Sequence, residues 1–205
     1  VLKLINFAHG DIYMVGAFIG FAILSLISGA IGDGWLGISA SVVLSMIATG
    51  FLGVVIQRIA YRPLLSAPRL SILITAMGVS LVLFNTVMAA TFGEYKAFET
   101  GLDFEGIELG SVHISHTQIV LVLTTAALMV ALTLFVEKSR LGRAVRATAQ
   151  DKQMAALVGV DINQVIAVTF LIGSVLAAAA GVMVAMYYGL VNFYIVYSAG
   201  IKAFT

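Results

Sequence analysis

The chain has 205 residues, of which 61% are hydrophobic and only 10% are charged, and its formal net charge is +1. Because soluble domains carry about 25% charged residues, this composition excludes an ordinary soluble globule and a disordered segment, and the near-neutral charge excludes a nucleic-acid-binding protein. Cysteine is absent, which excludes disulfides and thiolate metal sites. The mean hydropathy of +1.08 indicates that the chain is a helical integral membrane protein.

Five apolar stretches are long enough to cross a membrane, since a spanning helix needs about 20 apolar residues. They cover residues 12–31, 36–56, 70–92, 118–136 and 165–188. Residues 1–10 and 190–205 form two further elements that are too short to span by themselves. We therefore expect an all-α, polytopic transmembrane helical bundle of about five full spans plus partial elements at both ends. Residues 1–205 are expected to form a single transmembrane domain, as a fragment truncated at both ends.

The charge of the connecting segments orients the spans. Residues 58–69 contain three arginines and no acid, and residues 137–164 contain five basic residues against three acids. Residues 93–117 are the reverse, with five acids against one lysine. Because basic loops stay on the cytoplasmic side, we expect the first two segments to lie inside and the third outside.

Polar side chains gather where the first span begins, at Asn6, His9, Asp11 and Tyr13. Polar groups at membrane depth are costly unless they face protein or a water-filled cavity, and Gly10 would permit a break in the helix. Spacing alone leaves two interpretations open. One is a broken helix that presents its end to a substrate, and the other is an interfacial helix start capped by Asp11.

A shorter stretch near the other end of the chain has a similar pattern, because it places a polar residue, Asn192, between apolar residues. Paired, interrupted segments in two halves of a chain are typical of transport cores. No Asp or Glu lies in the apolar middle of a predicted span, which argues against a proton-coupled carrier.

Small residues four apart occur within two spans, as Gly16 with Gly20 and as Ala177 with Gly181. Such pairs let helix backbones approach closely. Twenty glycines in one apolar chain also produce this spacing by chance, so we expect only that several helices pack closely in one bundle.

The basic segment 137–164 shows helix signals. Ser139 and Asp151 are suited to cap two short helices, and Gly159 is suited to the left-handed position that ends the second. A loop that only obeyed the positive-inside rule or touched anionic lipid would not need this structure. We therefore expect a docking surface for a cytoplasmic partner.

Signatures of enzymes are missing from the sequence. It contains no G-x-x-x-x-G-K-[ST] phosphate loop, no G-x-S-x-G elbow and no H-E-x-x-H pair. His113 and His116 lie three residues apart in the acidic segment, and we interpret them as part of a solvated loop. We predict no catalytic residue, no metal site and no cofactor.

Five motifs occur in an order that resembles the permease subunit of branched-chain amino acid ABC importers. They are NFAHGD at 6–11, AYRPL at 60–64, LGRAVRA at 141–147, AALVGV at 155–160 and GIKAFT at 200–205. The resemblance covers essentially the whole chain, and it is closer to the leucine/isoleucine/valine permease that carries A-Y-R-P-L than to its partner permease. One departure is Phe193, where the family often has proline.

The resemblance implies a transport subunit rather than an enzyme, with ATP hydrolysed by partner chains. Those partners would be a second permease subunit, two cytoplasmic ATPase subunits and a periplasmic or lipid-anchored substrate-binding protein. The chain would lie in a lipid membrane, as a multi-pass protein of a bacterial or archaeal cytoplasmic (inner) membrane. The substrate would be a branched-chain or other apolar amino acid. Alternatives are a urea or short-amide permease of the same family, and a passive channel for a small neutral solute, which would need no cytoplasmic partner.

Two sets of site residues follow from these arguments. We expect the substrate pathway to be lined by Asn6, His9, Asp11, Tyr13 and Asn192. We expect residues 137–164 to form a cytoplasmic ATPase-coupling loop, and the resemblance maps the contact with the ATPase onto residues 141–160 within it. Within it, the predicted coupling residues are Arg143, Arg146, Asp151, Met154, Ala155 and Gly159.

Overall fold

A computed structural model describes residues 8–31, 34–65, 67–98, 106–109 and 112–195. Its helices in these ranges are α1 (Ala8–Ile31), α2 (Trp35–Ile56), α3 (Arg69–Thr91), α4 (His116–Lys138), α5 (Arg140–Gln150), α6 (Lys152–Leu157) and α7 (Ile162–Tyr188). Five of them, α1, α2, α3, α4 and α7, are long and apolar enough to cross a membrane. The prediction of an all-α bundle with about five spans is confirmed. Asn6 and the motif at 200–205 lie outside the described residues.

The first span begins earlier than its apolar run suggests. α1 is continuous from Ala8, with Gly10 inside it and Asp11 in its first turn. Neither the break at Gly10 nor the Asp11 N-cap is found. A glycine inside a helix costs only about 1 kcal/mol relative to alanine, and packing of α1 against its neighbours offsets that cost.

The second span continues beyond Ile56. A π-helical turn, Gln57–Tyr61, and a 3-10 turn, Arg62–Leu64, extend the helical stretch. Gln57 and Tyr61 are buried. Gln57, the first residue after the predicted end of this span, therefore belongs to the packed bundle.

Helices α1, α2 and α7 form the core because small residues allow close contact. A Cβ atom at Gly16 would lie 2.5 Å from Cα of Ala178, and one at Gly20 would overlap the side chain of Val182. From the first of these contacts to the second, the contact residue moves four positions forward in α1 and four positions forward in α7. The two helices therefore run side by side in the same direction. The predicted close packing is confirmed at these glycines.

A stripe of hydroxyl side chains on α2 faces this core. Ser41, Ser45 and Thr49 are fully buried at i, i+4 and i+8. The Ser45 hydroxyl donates a hydrogen bond of 2.6 Å to the carbonyl of Gly16 in α1. A buried bond between two spans therefore fixes how α1 and α2 sit relative to each other.

Replacing Ser45 with alanine is expected to lower the free energy of unfolding by about 0.6 kcal/mol, the typical value for a hydrogen bond between membrane helices. The measurement is reversible denaturation in mixed micelles. Ser39→Ala is the matched control, because the exposed Ser39 hydroxyl donates only to Leu36 of its own helix. Equal losses in both variants would contradict the proposed contribution of the Ser45 bond.

Helices α3 and α4 lie at the edge of the bundle. α3 packs on α1 through Ile72 and Ala76, which share a cluster with Ile12. α4 contacts α5 and α7, but none of its residues is buried. The side of the bundle formed by α4 is therefore the most loosely packed.

Short strands lie at the end of the bundle opposite α5 and α6. Lys96–Ala97 (β1) pairs antiparallel with Leu190–Val191 (β4), and Gly106–Leu109 (β2) pairs with Val112–Ser115 (β3). Next to β1, the buried Phe98 donates its backbone N–H to Gly189. The connection after α3 is thereby tied to the end of α7.

Candidate functional site

Asp11 lies deeper in the bundle than its place in the sequence suggests. It is 2% exposed, and the Ser80 hydroxyl lies within hydrogen-bonding reach of its carboxyl group. Ser80 is the twelfth of the 23 residues of α3, so Asp11 is level with the middle of that span. Asp11 still lies in the first turn of its own helix rather than in the apolar middle of a span, but α1 is displaced along the bundle axis relative to α3, so its carboxyl group lies deeper than the sequence suggests.

His9 lies at a similar depth on α1. Its Cε1 atom would be 3.5 Å from a Cβ added at Gly173, the twelfth of the 27 residues of α7. The His9 side chain is exposed at this level. A polar group at membrane depth requires protein or water beside it rather than lipid, so this side of α1 is unsuited to a lipid contact.

Tyr13 links the two apolar clusters of the bundle. Its side chain is half-buried and packs against both. Its backbone carbonyl lies against Gly181 of α7, where any side chain would overlap it. Tyr13 therefore lies at the contact between α1 and α7.

Asn192 lies far from these residues. It follows β4 in non-helical backbone, after Gly189 has ended α7 with φ 66°. Beyond the level of His9, α7 continues for 15 residues to Tyr188, which is about 22 Å at 1.5 Å per residue. The structure therefore does not bring Asn192 together with His9 and Asp11.

An aromatic cluster surrounds the residue after Asn192. The buried ring of Phe193 lies 5.8 Å from Phe84, 6.3 Å from Tyr95 and 4.5 Å from Tyr194, between ring centroids. The departure from proline at this position thus supplies the centre of an aromatic contact. The break after α7 is present without a proline, because Gly189 ends the helix.

Several buried polar atoms in the described part of the chain have no hydrogen-bond partner there. They are Asp11 Oδ2, Thr49 Oγ1, Gln57 Nε2 and Asn192 Oδ1. Most buried polar atoms in proteins are paired, so these positions stand out within an apolar bundle. Sequence reasoning missed Gln57, and it also missed Thr49, for which the hydroxyl spacing of four along α2 was a usable signal.

The segment between α4 and α7 forms a second candidate site at the opposite end of the bundle. The Ser139 hydroxyl caps α5 by accepting from the N–H of Gly142 at 2.8 Å. Arg146 donates to the carbonyl of Val136 at 2.5 Å, and Arg143 donates to the carbonyl of Lys138 at 3.4 Å. Both arginines therefore bind carbonyls left free at the end of α4. These bonds fix the angle between α4 and α5.

The short helix α6 is capped at both ends, as predicted. Asp151 accepts from the N–H groups of Gln153 and Met154 at 2.8 and 3.0 Å. At the other end Gly159 has φ 86°. Its N–H donates to Ala156 at 3.1 Å, and that of Val160 donates to Ala155 at 3.0 Å, which is the Schellman arrangement.

The surface of α6 is apolar and exposed. Leu157 is 80% exposed, Val158 is 79% exposed and Met154 is 62% exposed, whereas Ala155 is buried. Exposed clusters of apolar side chains mark contacts with another protein or with a membrane. Met154 is one of the predicted coupling residues, whereas Leu157 and Val158 were not singled out; two apolar residues directly before a glycine in a basic segment were the available signal.

No group of three or more His, Asp or Glu side chains in the described ranges could hold a metal ion. His113 lies on β3 and His116 begins α4. These two histidines therefore belong to no such group within the described ranges.

Comparisons with known proteins agree on one family. The sequence profile of the branched-chain amino acid transport system permease component matches residues 1–205. The chain is 43% identical to the high-affinity branched-chain amino acid transport system permease protein BraD of Pseudomonas aeruginosa, with 100% of this chain and 68% of the relative covered. It is 40% identical, with the same coverage, to the corresponding permease proteins named LivH of Escherichia coli K12 and Salmonella typhimurium. No solved structure matches the chain.

Proposed function

Because the chain belongs to the family of branched-chain amino acid transport system permease components, we propose that it forms part of the membrane pathway of an ABC importer. It is a multi-pass membrane permease subunit with five helices suited to span the bilayer. The substrate of the importer is a branched-chain or other apolar amino acid, the class that the names of its relatives give for them. ATP is hydrolysed by separate subunits.

The observation that carries this proposal is the apolar surface of α6. Met154, Leu157 and Val158 project from a helix that is capped at both ends. This helix lies among the basic segments, which the positive-inside rule places in the cytoplasm. A passive channel needs no such surface, whereas a docked ATPase subunit would bury it.

In this proposal the coupling residues have two roles, contact with the ATPase and support of the segment's structure. Met154 contacts the ATPase together with Leu157 and Val158. Arg143, Arg146, Asp151, Ala155 and Gly159 hold the shape of the segment. Two ATPase subunits, a second permease subunit and a periplasmic or lipid-anchored substrate-binding protein complete the assembly.

The substrate pathway in this proposal has two polar levels. His9, Asp11 and Tyr13 form one near the middle of the bundle, where Thr49 adds a buried unpaired hydroxyl. Asn192 and the aromatic cluster around Phe193 form the other, near the end of α7. A neutral zwitterion needs few fixed charges, which suits a bundle whose described spans bury a single carboxylate.

Purification of the full-length protein from its native membrane in a gentle detergent tests the assembly. Mass spectrometry is expected to identify two ATPase chains and a second permease in the same complex. Recovery of the protein alone, stable and free of ATPase, would favour the passive channel. Uptake of leucine against urea by vesicles that contain the complex then separates the two substrate classes.

Leu157→Asp is expected to weaken binding of the ATPase severalfold, because burying an unpaired carboxylate in an apolar contact is costly. The measurement is the ratio of ATPase to permease after affinity purification. Ala149→Asp is the control, since it adds the same charge to an exposed position of α5. An unchanged ratio for Leu157→Asp would remove α6 from the contact.

A further inference from the structure

A groove of about 280 Å³ lies between α2, α4 and α7, in the half of the bundle opposite α5 and α6. Residues 35–46 of α2 form one wall and residues 117–124 of α4 form the other. Met183 and Met186 of α7 form the floor. The groove separates the loosely packed α4 from the core of the bundle.

Two of the four polar side chains that line this groove are engaged within their own helices, and the other two, Trp35 and Thr117, belong to the first turns of α2 and α4. The Ser39 hydroxyl donates to the carbonyl of Leu36 at 3.0 Å, and the Thr124 hydroxyl donates to that of Val120 at 2.7 Å. A water molecule needs two to four polar partners, and the charged ends of an amino acid need more. The remaining lining is almost entirely apolar, so the groove suits an apolar occupant rather than water or the transported substrate.

The length and opening of the groove match one leaflet of a bilayer. From Trp35 to Met46 the wall rises about 16 Å at 1.5 Å per residue, which is close to half of a hydrocarbon core of about 30 Å. Trp35 is 45% exposed and Val43 is 54% exposed, so the groove is open to the side. The methionine side chains of the floor adapt readily to flexible chains.

We propose that the groove binds an acyl chain of a phospholipid from the adjacent leaflet. An empty void would forfeit van der Waals contacts along its walls, and a bilayer supplies hydrocarbon at the open side. The bound chain fills the space between α4 and the core. Lipid thereby completes the packing of a helix that has no buried residue of its own.

Photolabelling of the full-length protein tests this site. The protein is placed in vesicles of phosphatidylethanolamine and phosphatidylglycerol, with a phosphatidylethanolamine that carries a diazirine in the middle of one acyl chain. After irradiation, mass spectrometry is expected to find label at Met183 and Met186. These residues are 8% and 7% exposed, so lipid that only surrounds the bundle does not reach them.

Two variants that fill the groove are expected to abolish this label. Thr124→Phe fills it from α4, and Val42→Phe fills it from α2 if the first variant does not fold. Leu123→Phe is the control, because Leu123 is 64% exposed and does not line the groove. Absence of label at both methionines in the unmodified protein would mean that protein fills the groove and would overturn the proposal. Label that persists in the filled variants would also overturn it.

Discussion

Replacing Gly16 with valine is expected to prevent most of the protein from folding. A Cβ atom at this position would lie 2.5 Å from Cα of Ala178. Because the obstacle is backbone rather than a flexible side chain, α1 and α7 would have to separate along their contact. Overpacking of a core typically costs 1–3 kcal/mol, and we expect a loss of about 3 kcal/mol here because the Ser45–Gly16 bond is disturbed as well.

The measurement is the yield of monodisperse protein and its free energy of unfolding in mixed micelles. Gly78→Val is the matched control, because Gly78 also lies inside a spanning helix but no atom lies within 4 Å of its added Cβ. It should be neutral or slightly stabilising, since glycine is a poor helix former. Similar behaviour of the two variants would show that α1 and α7 are not in the close contact described above.

Gly159→Val is expected to separate ATP hydrolysis from transport. At φ 86° a β-branched residue is strained, and the left-handed conformation costs an ordinary residue about 1–2 kcal/mol. Relief of that strain would unwind the end of α6 and displace Leu157 and Val158. Since 1.4 kcal/mol corresponds to a factor of ten, we expect leucine uptake per ATP hydrolysed to fall by about tenfold.

The experiment compares uptake with ATP hydrolysis in vesicles that contain the complete importer. Gly159→Asn should retain most of the coupling, because asparagine tolerates the left-handed conformation. Gly93→Val introduces similar strain, at φ 70°, but at the opposite end of the bundle, and it should leave the ratio unchanged. Normal coupling in Gly159→Val would exclude α6 as the link to the ATPase.

Local signals predicted much of this fold. Apolar length predicted the five spans, and side-chain chemistry predicted the caps at Ser139, Asp151 and Gly159. These features depend on residues close together in the sequence. The resemblance to known permeases added the family, which the comparisons confirmed.

The axial position of each helix could not be predicted in this way. Apolar length shows that α1 crosses the membrane but not how far along α3 and α7 it sits, so Asp11 was placed at the edge of a span. The sequence also does not show which side chains of α6 are exposed. Leu157 is exposed and Ala155 is buried because they face different ways once α6 has docked on α7. The continuation of α2 into a π-helical turn also depends on packing of Gln57 and Tyr61.

The connection between Lys96–Ala97 and Leu190–Val191 has a mechanical consequence for α7. One end of this helix is joined to α6 by four residues, and the other end is bound to the connection after α3 through the Gly189–Phe98 hydrogen bond. A helix of 27 residues is about 40 Å long and resists compression along its axis. In the proposed importer, a push on α6 would therefore reach the far side of the membrane as a movement of the whole of α7, without a relay of side chains between the two surfaces.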